Sequence, residues 1–336
     1  MTHLTYLEAA VVGLVQGVSE MFPVSSLGHA VLIPAIVGGS WARDLNVAAP
    51  ESPYLAFIVG LHVATAFALI IYFWRDWVRI IGGFFSSIRD GGPHTADQKL
   101  AWMIILATIP VGIVGLAFEH AFRLIFGKPV FAGIFLALNG VILLAGERYR
   151  TSASLAADSA IAAARQPAVL SAAGHVEAHA EARAEGQPEG NVAVRQLEVA
   201  DAVQADRRLA SMTYPQGIII GCAQILALLA GISRDGVTMV AGMVRGLSRE
   251  DAARYAFLLA TPVILAAGVL KVPDLLGPLG NGIRGQILLG SVLSGVGAYL
   301  SVRFLLRYLR TRTLTPFGIY CLVAGVASIA YIGLIQ

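Results

Sequence analysis

Six stretches of this sequence are long and apolar enough to cross a lipid bilayer, which leaves little choice of fold. They run at about Pro53–Trp74, Leu100–Glu119, Pro129–Gly146, Ala252–Leu270, Gly285–Leu306 and Pro316–Ile335. A spanning helix needs roughly 20 mainly apolar residues. The composition agrees: 57% of residues are hydrophobic and 13% are charged, where a soluble domain carries about 25% charged residues. No block of soluble-domain size is visible. Cys222 and Cys321 both lie in apolar segments and read as buried small hydrophobes, not as a disulfide or a zinc site. The N-terminus has no basic n-region and no small-residue cleavage pattern, so a cleavable signal peptide is not expected.

Two further regions, about Tyr6–Val37 and Pro215–Val244, are apolar but broken at the middle by Pro23-Val-Ser-Ser-Leu-Gly and Gly231-Ile-Ser-Arg-Asp-Gly. Their arms are too short to span comfortably and fit re-entrant hairpins, whose irregular tips must be buried in protein or face a water-filled cavity. The two regions align at a constant offset of 208: Gly13 with Gly221, Gln16 with Gln224, Ser25 with Ser233, Gly28 with Gly236. Three spans follow each, and an odd number of crossings separates them. The expected fold is therefore an all-α integral membrane protein with an inverted-topology repeat, six transmembrane helices plus two re-entrant helical hairpins. The first repeat covers 1–150 and the second 207–336.

Between them, 151–206 is rich in Ala, Glu, Arg and Gln and lacks aromatic residues. It reads as a flexible, solvated insertion, with a marginal helix over Glu177–Glu185. The pair His175 and His179 is better read as part of that solvated loop than as a metal site. With the long insertion set aside, the loops 75–99, 245–254 and 303–312 carry 11 Lys and Arg against 5 on the other face. That excess assigns the first face to the cytoplasm. Both termini and the mouth of the first hairpin then face outside, and the insertion lies in the cytoplasm.

The stretch Gln16–His29 sets an amide, a carboxylate, two adjacent hydroxyls and an imidazole in apolar surroundings. An ionisable group at membrane depth is costly and a functional candidate by default. Glu20 and Arg234, one at each hairpin tip, are the expected pair. A guanidinium pairs bidentately with phosphate oxygens. Ser233, Thr238 and the backbone near Gly236, at a helix start, make a candidate anion nest. Ser26 or Ser25 is the candidate nucleophile, needing a base to take its proton. His29, three and four residues on, falls on the same helical face. Glu20 could orient that histidine, take the proton itself or hold a divalent cation. Zinc is disfavoured, because Glu20 and His29 lack a third ligand. His62 reads as a satisfied core histidine with an accessory role as the alternative. Gln16 and Gln224 read as hydrogen-bonding stitches between helices, and Tyr72, Trp74 and Trp77 beside Arg75 as an interfacial belt.

These motifs resemble those of the bacterial undecaprenyl-diphosphate phosphatases, the bacitracin-resistance family. The first is Gln16-Gly17 … Glu20 … Pro23-Val24-Ser25-Ser26-Leu27-Gly28-His29. The second is Gln224 … Ala227-Leu228-Leu229-Ala230-Gly231-Ile232-Ser233-Arg234-Asp235-Gly236-Val237-Thr238. Met212-Thr-Tyr214, Phe257-Leu-Leu259 with Pro262, and Pro316-Phe-Gly-Ile-Tyr320 match as well. The resemblance covers nearly the whole chain except 151–206. It implies a membrane phosphatase acting on a C55 polyprenyl diphosphate, with its site open to the outer face. Glu20, Ser25, Ser26, His29, Ser233, Arg234 and Thr238 stand at functional positions of the pattern. It implies a divalent cation, magnesium or calcium, with Glu20 as candidate ligand, and the bilayer and lipid substrate as partners. No organic cofactor or nucleic acid is expected, and the oligomeric state is open, a homodimer being one option. The chain departs from the pattern at Gln16 (usually Glu), Leu27 (Thr), Ala230 (Pro) and Asp235 (Ser). Asp235 either competes with phosphate for Arg234 or points away and caps the following helix. A transporter of polyprenyl phosphate or a small anion is the alternative function.

Overall fold

A computed structural model describes residues 4–45, 53–126, 128–169, 203–277 and 281–335. All regular elements among them are helices. In chain order they are α1 (Tyr6–Met21), α2 (Ser26–Val37), α3 (Gly39–Asp44), α4 (Pro53–Tyr72), α5 (Trp74–Arg89), α6 (Ala96–Phe126) and α7 (Pro129–Val169). Then follow α8 (203–211), α9 (Tyr214–Cys222) with a 3-10 turn over Ala223–Leu228, α10 (Arg234–Val244), α11 (Arg249–Leu276), α12 (Arg284–Leu309) and α13 (Thr315–Ile335). Five of these, α6, α7, α11, α12 and α13, are long and apolar enough to cross a bilayer. The sixth expected span, α4, bends by 86° into α5.

The molecule is apolar on its outside. Ile113, Leu116, Val292, Leu300 and Val323 stand exposed, whereas Glu20, Ser26, Thr65, Asn139, Gln224, Ser233 and Asp235 are buried. In hydrocarbon this is the low-energy arrangement, because lipid solvates leucine and only protein can satisfy a carboxylate. Helix α5 shows the same inversion on a small scale. Val78, Ile81, Phe85 and Ile88 face out, while Asp76, Gly83 and Ser87 face in. Because Arg75, Asp76, Arg79, Ser86, Ser87 and Arg89 break its apolar run, the segment reads as a loop by hydropathy alone. Trp74 is exposed with the Arg75 guanidinium 5.3 Å over its ring, as an interfacial residue should be.

Helix α1 packs on α12 and α9 packs on α6, while α7 pairs with α13 and α4 with α11. Small residues allow the close approaches. A Cβ on Gly13 would lie 2.7 Å from the Gly290 Cα on α12, and one on Gly221 would lie 2.7 Å from the Ala107 Cβ on α6.

Ion pairs tie four polar connections together at one end of the molecule. Arg254 lies 3.0 Å from Asp76 and 2.9 Å from Asp206, and Arg79 pairs with both carboxylates. Arg208 holds Asp251 at 2.8 Å, Arg310 holds Glu250 at 2.8 Å, and Arg249 pairs with Glu147. The Leu314 N–H donates to the same Glu147 carboxylate at 3.1 Å. At the other end the Gln286 amide donates to the Leu4 carbonyl at 3.1 Å, and the Tyr331 hydroxyl meets the Ile36 carbonyl at 3.5 Å. Helix α7 continues to Val169, so the first part of the stretch expected to be flexible is helical. His175, His179 and Glu177–Glu185 lie outside the described residues.

Candidate functional site

Helix α1 stops at Met21 because Pro23 cannot continue it and Phe22 turns extended, at φ −75° and ψ 144°. The chain reverses through Ser25, a non-glycine residue at φ 66°, and α2 begins at Ser26. The second tip is built alike: α10 begins at Arg234 after the turn through Gly231. Ser25 Oγ accepts the Gly28 N–H at 3.2 Å and Ser233 Oγ accepts the Gly236 N–H at 3.1 Å. The two serines, 208 residues apart in sequence, are thus the caps of α2 and α10, filling the first free N–H groups of those helices.

Glu20, in the last turn of α1, is the hub. One carboxylate oxygen accepts from the Ser26 hydroxyl, from Gln16 Nε2 at 2.9 Å and lies 3.2 Å from His62 Nε2. The other accepts from the Arg234 guanidinium. Glu20, Ser26, His62 and Arg234 thereby meet in one buried network drawn from α1, α2, α4 and α10. The expected pairing of Glu20 with Arg234 is what the structure contains. His62, read from sequence as a satisfied core residue with an accessory role as the alternative, belongs to this centre. Its Nδ1 donates to the Ile58 carbonyl at 2.8 Å, which turns Nε2 towards the carboxylate.

Other residues of the set face elsewhere. The His29 Nδ1 lies 2.7 Å from the Ser25 carbonyl, and its Nε2 lies 2.7 Å from the Tyr320 hydroxyl, with the two rings stacked. A carbonyl only accepts, so Nδ1 carries the hydrogen and Nε2 takes the hydrogen bond from Tyr320. His29 therefore lines the same small cleft as Ser26 and Gln16 but holds no bond to the Ser26 hydroxyl. Thr238 Oγ1 donates to the Arg234 carbonyl at 2.7 Å, inside α10. The Gly236 N–H is occupied by Ser233. Gln16 and Gln224 do not stitch helices. Gln16 reaches one turn along its own helix to Glu20, and Gln224 meets its own Gly221 carbonyl at 3.4 Å. The Oε1 of each is buried without a hydrogen-bond partner among the described residues. Asp235 is in the first turn of α10 but is not its cap. Its Oδ1 lies 3.8 Å from the Arg234 Nε, and neither carboxylate oxygen has a hydrogen bond among the described residues. It leans on the edge of the guanidinium that Glu20 leaves free.

Sequence reasoning missed one polar residue altogether. Asn139, on α7, is fully buried, donates from Nδ2 to the Pro23 carbonyl at 2.9 Å and accepts the Ser233 N–H at 3.0 Å. The signal was available, since a polar side chain inside an apolar span faces the protein interior and has a partner there. Both cysteines are free thiols, Cys321 fully buried. The donor set does not form a divalent-cation site by itself. Both Glu20 oxygens are already engaged, and no group of three or more His, Cys, Asp or Glu converges among the described residues.

Fold and site together define a multi-pass helical membrane protein with a serine, a carboxylate and a guanidinium held in contact between two helix starts. The chain belongs to the family described as "Bacitracin resistance protein BacA", which matches residues 9–327. Curated relatives carry the name undecaprenyl-diphosphatase. The one from Mycolicibacterium paratuberculosis is 58% identical over 332 residues, 99% of each chain. That from Mycobacterium avium is 57% identical over 332 residues, again 99% of each. The undecaprenyl-diphosphatase 2 of Frankia alni is 52% identical over 333 residues, 97% of each.

Proposed function

We propose that this chain is a membrane phosphatase that hydrolyses undecaprenyl diphosphate to undecaprenyl phosphate and inorganic phosphate, recycling the lipid carrier of cell-wall precursors. The observation that carries the reading is the contact of the Ser26 hydroxyl with the Glu20 carboxylate, whose other oxygen holds Arg234. A hydroxyl on a base beside a phosphate-binding cation is the set that phosphoryl transfer uses.

In the proposed course the terminal phosphoryl group enters beside Arg234, and the guanidinium exchanges part of its bonding from Glu20 to phosphate oxygens. Ser26 Oγ attacks the terminal phosphorus in line while Glu20 takes its proton. The bridging P–O bond breaks, and undecaprenyl phosphate leaves with the bonding electrons. Undecaprenyl phosphate takes up the proton held by Glu20, the freed carboxylate deprotonates the water that attacks the phosphoserine phosphorus, and the proton passes to Ser26 Oγ as its bond to phosphorus breaks and inorganic phosphate leaves. His62 and Gln16 hold Glu20 in place. His29 stands at the cleft wall, poised by Tyr320. Ser25, Ser233, Gly236 and Thr238 act by shaping the two helix starts. A magnesium or calcium ion is proposed only as a companion of the incoming diphosphate, and no step above runs through it.

We further propose that α1–α2 and α9–α10 are re-entrant hairpins of an inverted repeat. Three features support this. Helix α1 rests on α12 as α9 rests on α6, the exchange that a two-fold relation requires. Gly13 and Gly221, equivalent by the offset, make the corresponding close approaches. Leu4 and Ile36, at the two ends of the first hairpin, bond to helix ends away from the ion pairs, whereas Gly242 of α10 lies against Ala252 near those pairs. The ion-paired end, rich in arginine, is assigned to the cytoplasm and the chain to the inner membrane, with the mouth of the first hairpin outside.

The test is phosphate release from undecaprenyl diphosphate in detergent by purified protein, with the lipid product identified. Release of phosphate and undecaprenyl monophosphate by wild type, lost in Ser26→Ala, is the expected result. No release by wild type overturns the reading. A transporter would need the cation and a carboxylate but has no use for the Ser26 hydroxyl on that carboxylate.

A further inference from the structure

The two halves of the centre sit on different turns, and something must fix the distance between them. We propose that Asn139 is the positioning residue that sets Ser26 against Arg234, an inference that rests on the phosphatase reading for its catalytic consequence.

The side chain is 0% exposed and comes from α7, which gives no other group to the network. Its Nδ2 donates to the Pro23 carbonyl at 2.9 Å, three residues before Ser26. Its Oδ1 accepts the Ser233 N–H at 3.0 Å, one residue before Arg234. The orientation of the amide is fixed by chemistry, since an N–H can only donate and a carbonyl can only accept. One planar group therefore spans the turn carrying the nucleophile and the turn carrying the guanidinium. Cys321 on α13 completes the knot, with its Sγ 3.4 Å from Nδ2 and 3.8 Å from the Pro23 carbonyl.

Both backbone groups are turn orphans. The Pro23 carbonyl lies past the end of α1, and the Ser233 N–H lies before the first bonded turn of α10. With no water in hydrocarbon, each needs a protein partner. Only an amide of this length meets both demands. Aspartate has no donor for Pro23, leucine has neither function, and glutamine is longer by a methylene. The second turn is also pressed onto α7 at Gly231, whose φ is 118° and where a Cβ would lie 2.7 Å from the Leu136 nitrogen. Helix α7 is thus the bench on which both tips are set.

The experiment compares wild type with Asn139→Ala, Asn139→Asp and Leu209→Ala. Leu209 is a fully buried core residue of α8 outside the centre and serves as the stability control. Turnover on undecaprenyl diphosphate is measured per monodisperse protein. In parallel, spin labels at Val37→Cys, the far end of α2, and Val244→Cys, the far end of α10, report the relative placement of the two helices that start at the tips, in a Cys222→Ser background, since buried Cys321 takes no label. Both Asn139 variants are expected to lose at least about tenfold in kcat, with KM within about twofold. Their label distance should broaden or shift, while Leu209→Ala lowers the melting temperature and leaves kcat and distance as in wild type. The proposal is overturned by wild-type kcat in Asn139→Ala, by an unchanged narrow distance, or by an equal kcat loss in Leu209→Ala. Should wild type release no phosphate, the phosphatase reading falls, and the distance measurement alone decides whether Asn139 positions the tips.

Discussion

Replacing Glu20 by Gln should separate catalysis from stability. The carboxylate accepts from Gln16, Ser26 and Arg234 and lies against His62. Glutamine keeps one oxygen, which can stay on the Arg234 guanidinium, and puts an NH2 where the other stood. Its two hydrogens can serve two of the three neighbours Ser26, neutral His62 and Gln16. Gln16 can turn its amide to offer the Oε1 that now lacks a partner. Arg234 loses a charged partner, a change that costs about 3–5 kcal/mol where the remaining charge is uncompensated. Here Asp235 lies 3.8 Å from its Nε, so the loss should fall below that range. The base is gone, however, and a missing general base lowers turnover by about 10²–10⁴-fold, roughly 3–5 kcal/mol of barrier. Glu20→Ala strips every donor of its acceptor and should be the less stable variant by several kcal/mol. Phosphate release per folded protein and thermal melting of both variants check this. Glu20→Gln with kcat within about threefold of wild type would refute the assignment of Glu20 as base, and equal stability of the two variants would refute its role as hub.

Three further outcomes follow from the geometry. Ser25 holds φ 66°, strained for any L side chain but free for glycine. Glycine also costs only a few tenths of a kcal/mol as a cap, against about 1 for alanine, so Ser25→Gly should melt higher than Ser25→Ala by at least about 1 kcal/mol. Gly221→Ala should cost about 1–3 kcal/mol by forcing α9 off α6. Gly112→Ala, which has no atom within 4 Å of the new Cβ, should be neutral or stabilising; equal melting of these two would contradict the packing. His29→Ala and Tyr320→Phe should be non-additive in kcat, with a coupling of about 0.5–1.5 kcal/mol from the shared hydrogen bond; strict additivity would deny that bond.

Much of this fold was legible because the bilayer restricts the options. Long apolar runs had to be helices, and the Pro and Gly interruptions at Pro23 and Gly231 marked the two turns. The meeting of Glu20 with Arg234 was legible for the same reason, since charges in apolar sequence must find each other. Asn139 was missed, and His62 was given an accessory role only as the alternative, because each is a single polar residue in an apolar run, and nothing local says which one reaches the centre. The spacing of His29 from Ser26 pointed to a shared face, but the Ser25 carbonyl and Tyr320 claim both ring nitrogens. Helix α5 escaped because its exposed stripe is apolar and its buried stripe carries Asp76, the reverse of the soluble pattern that hydropathy reads easily. Ser25 looked catalytic and Ser233 phosphate-binding by type, and their capping bonds are visible only in the folded turns.

The most direct test of one centre shared by the starts of α2 and α10 is the kinetic coupling of Ser26→Ala with Arg234→Ala. Phosphate release from undecaprenyl diphosphate is measured for wild type, each single variant and the double variant. Groups acting in one step are grossly non-additive, so each single change should lower kcat by about a hundredfold or more and the double should be little slower than the worse single. Two losses that multiply in the double variant, or a single variant with wild-type turnover, would contradict the account.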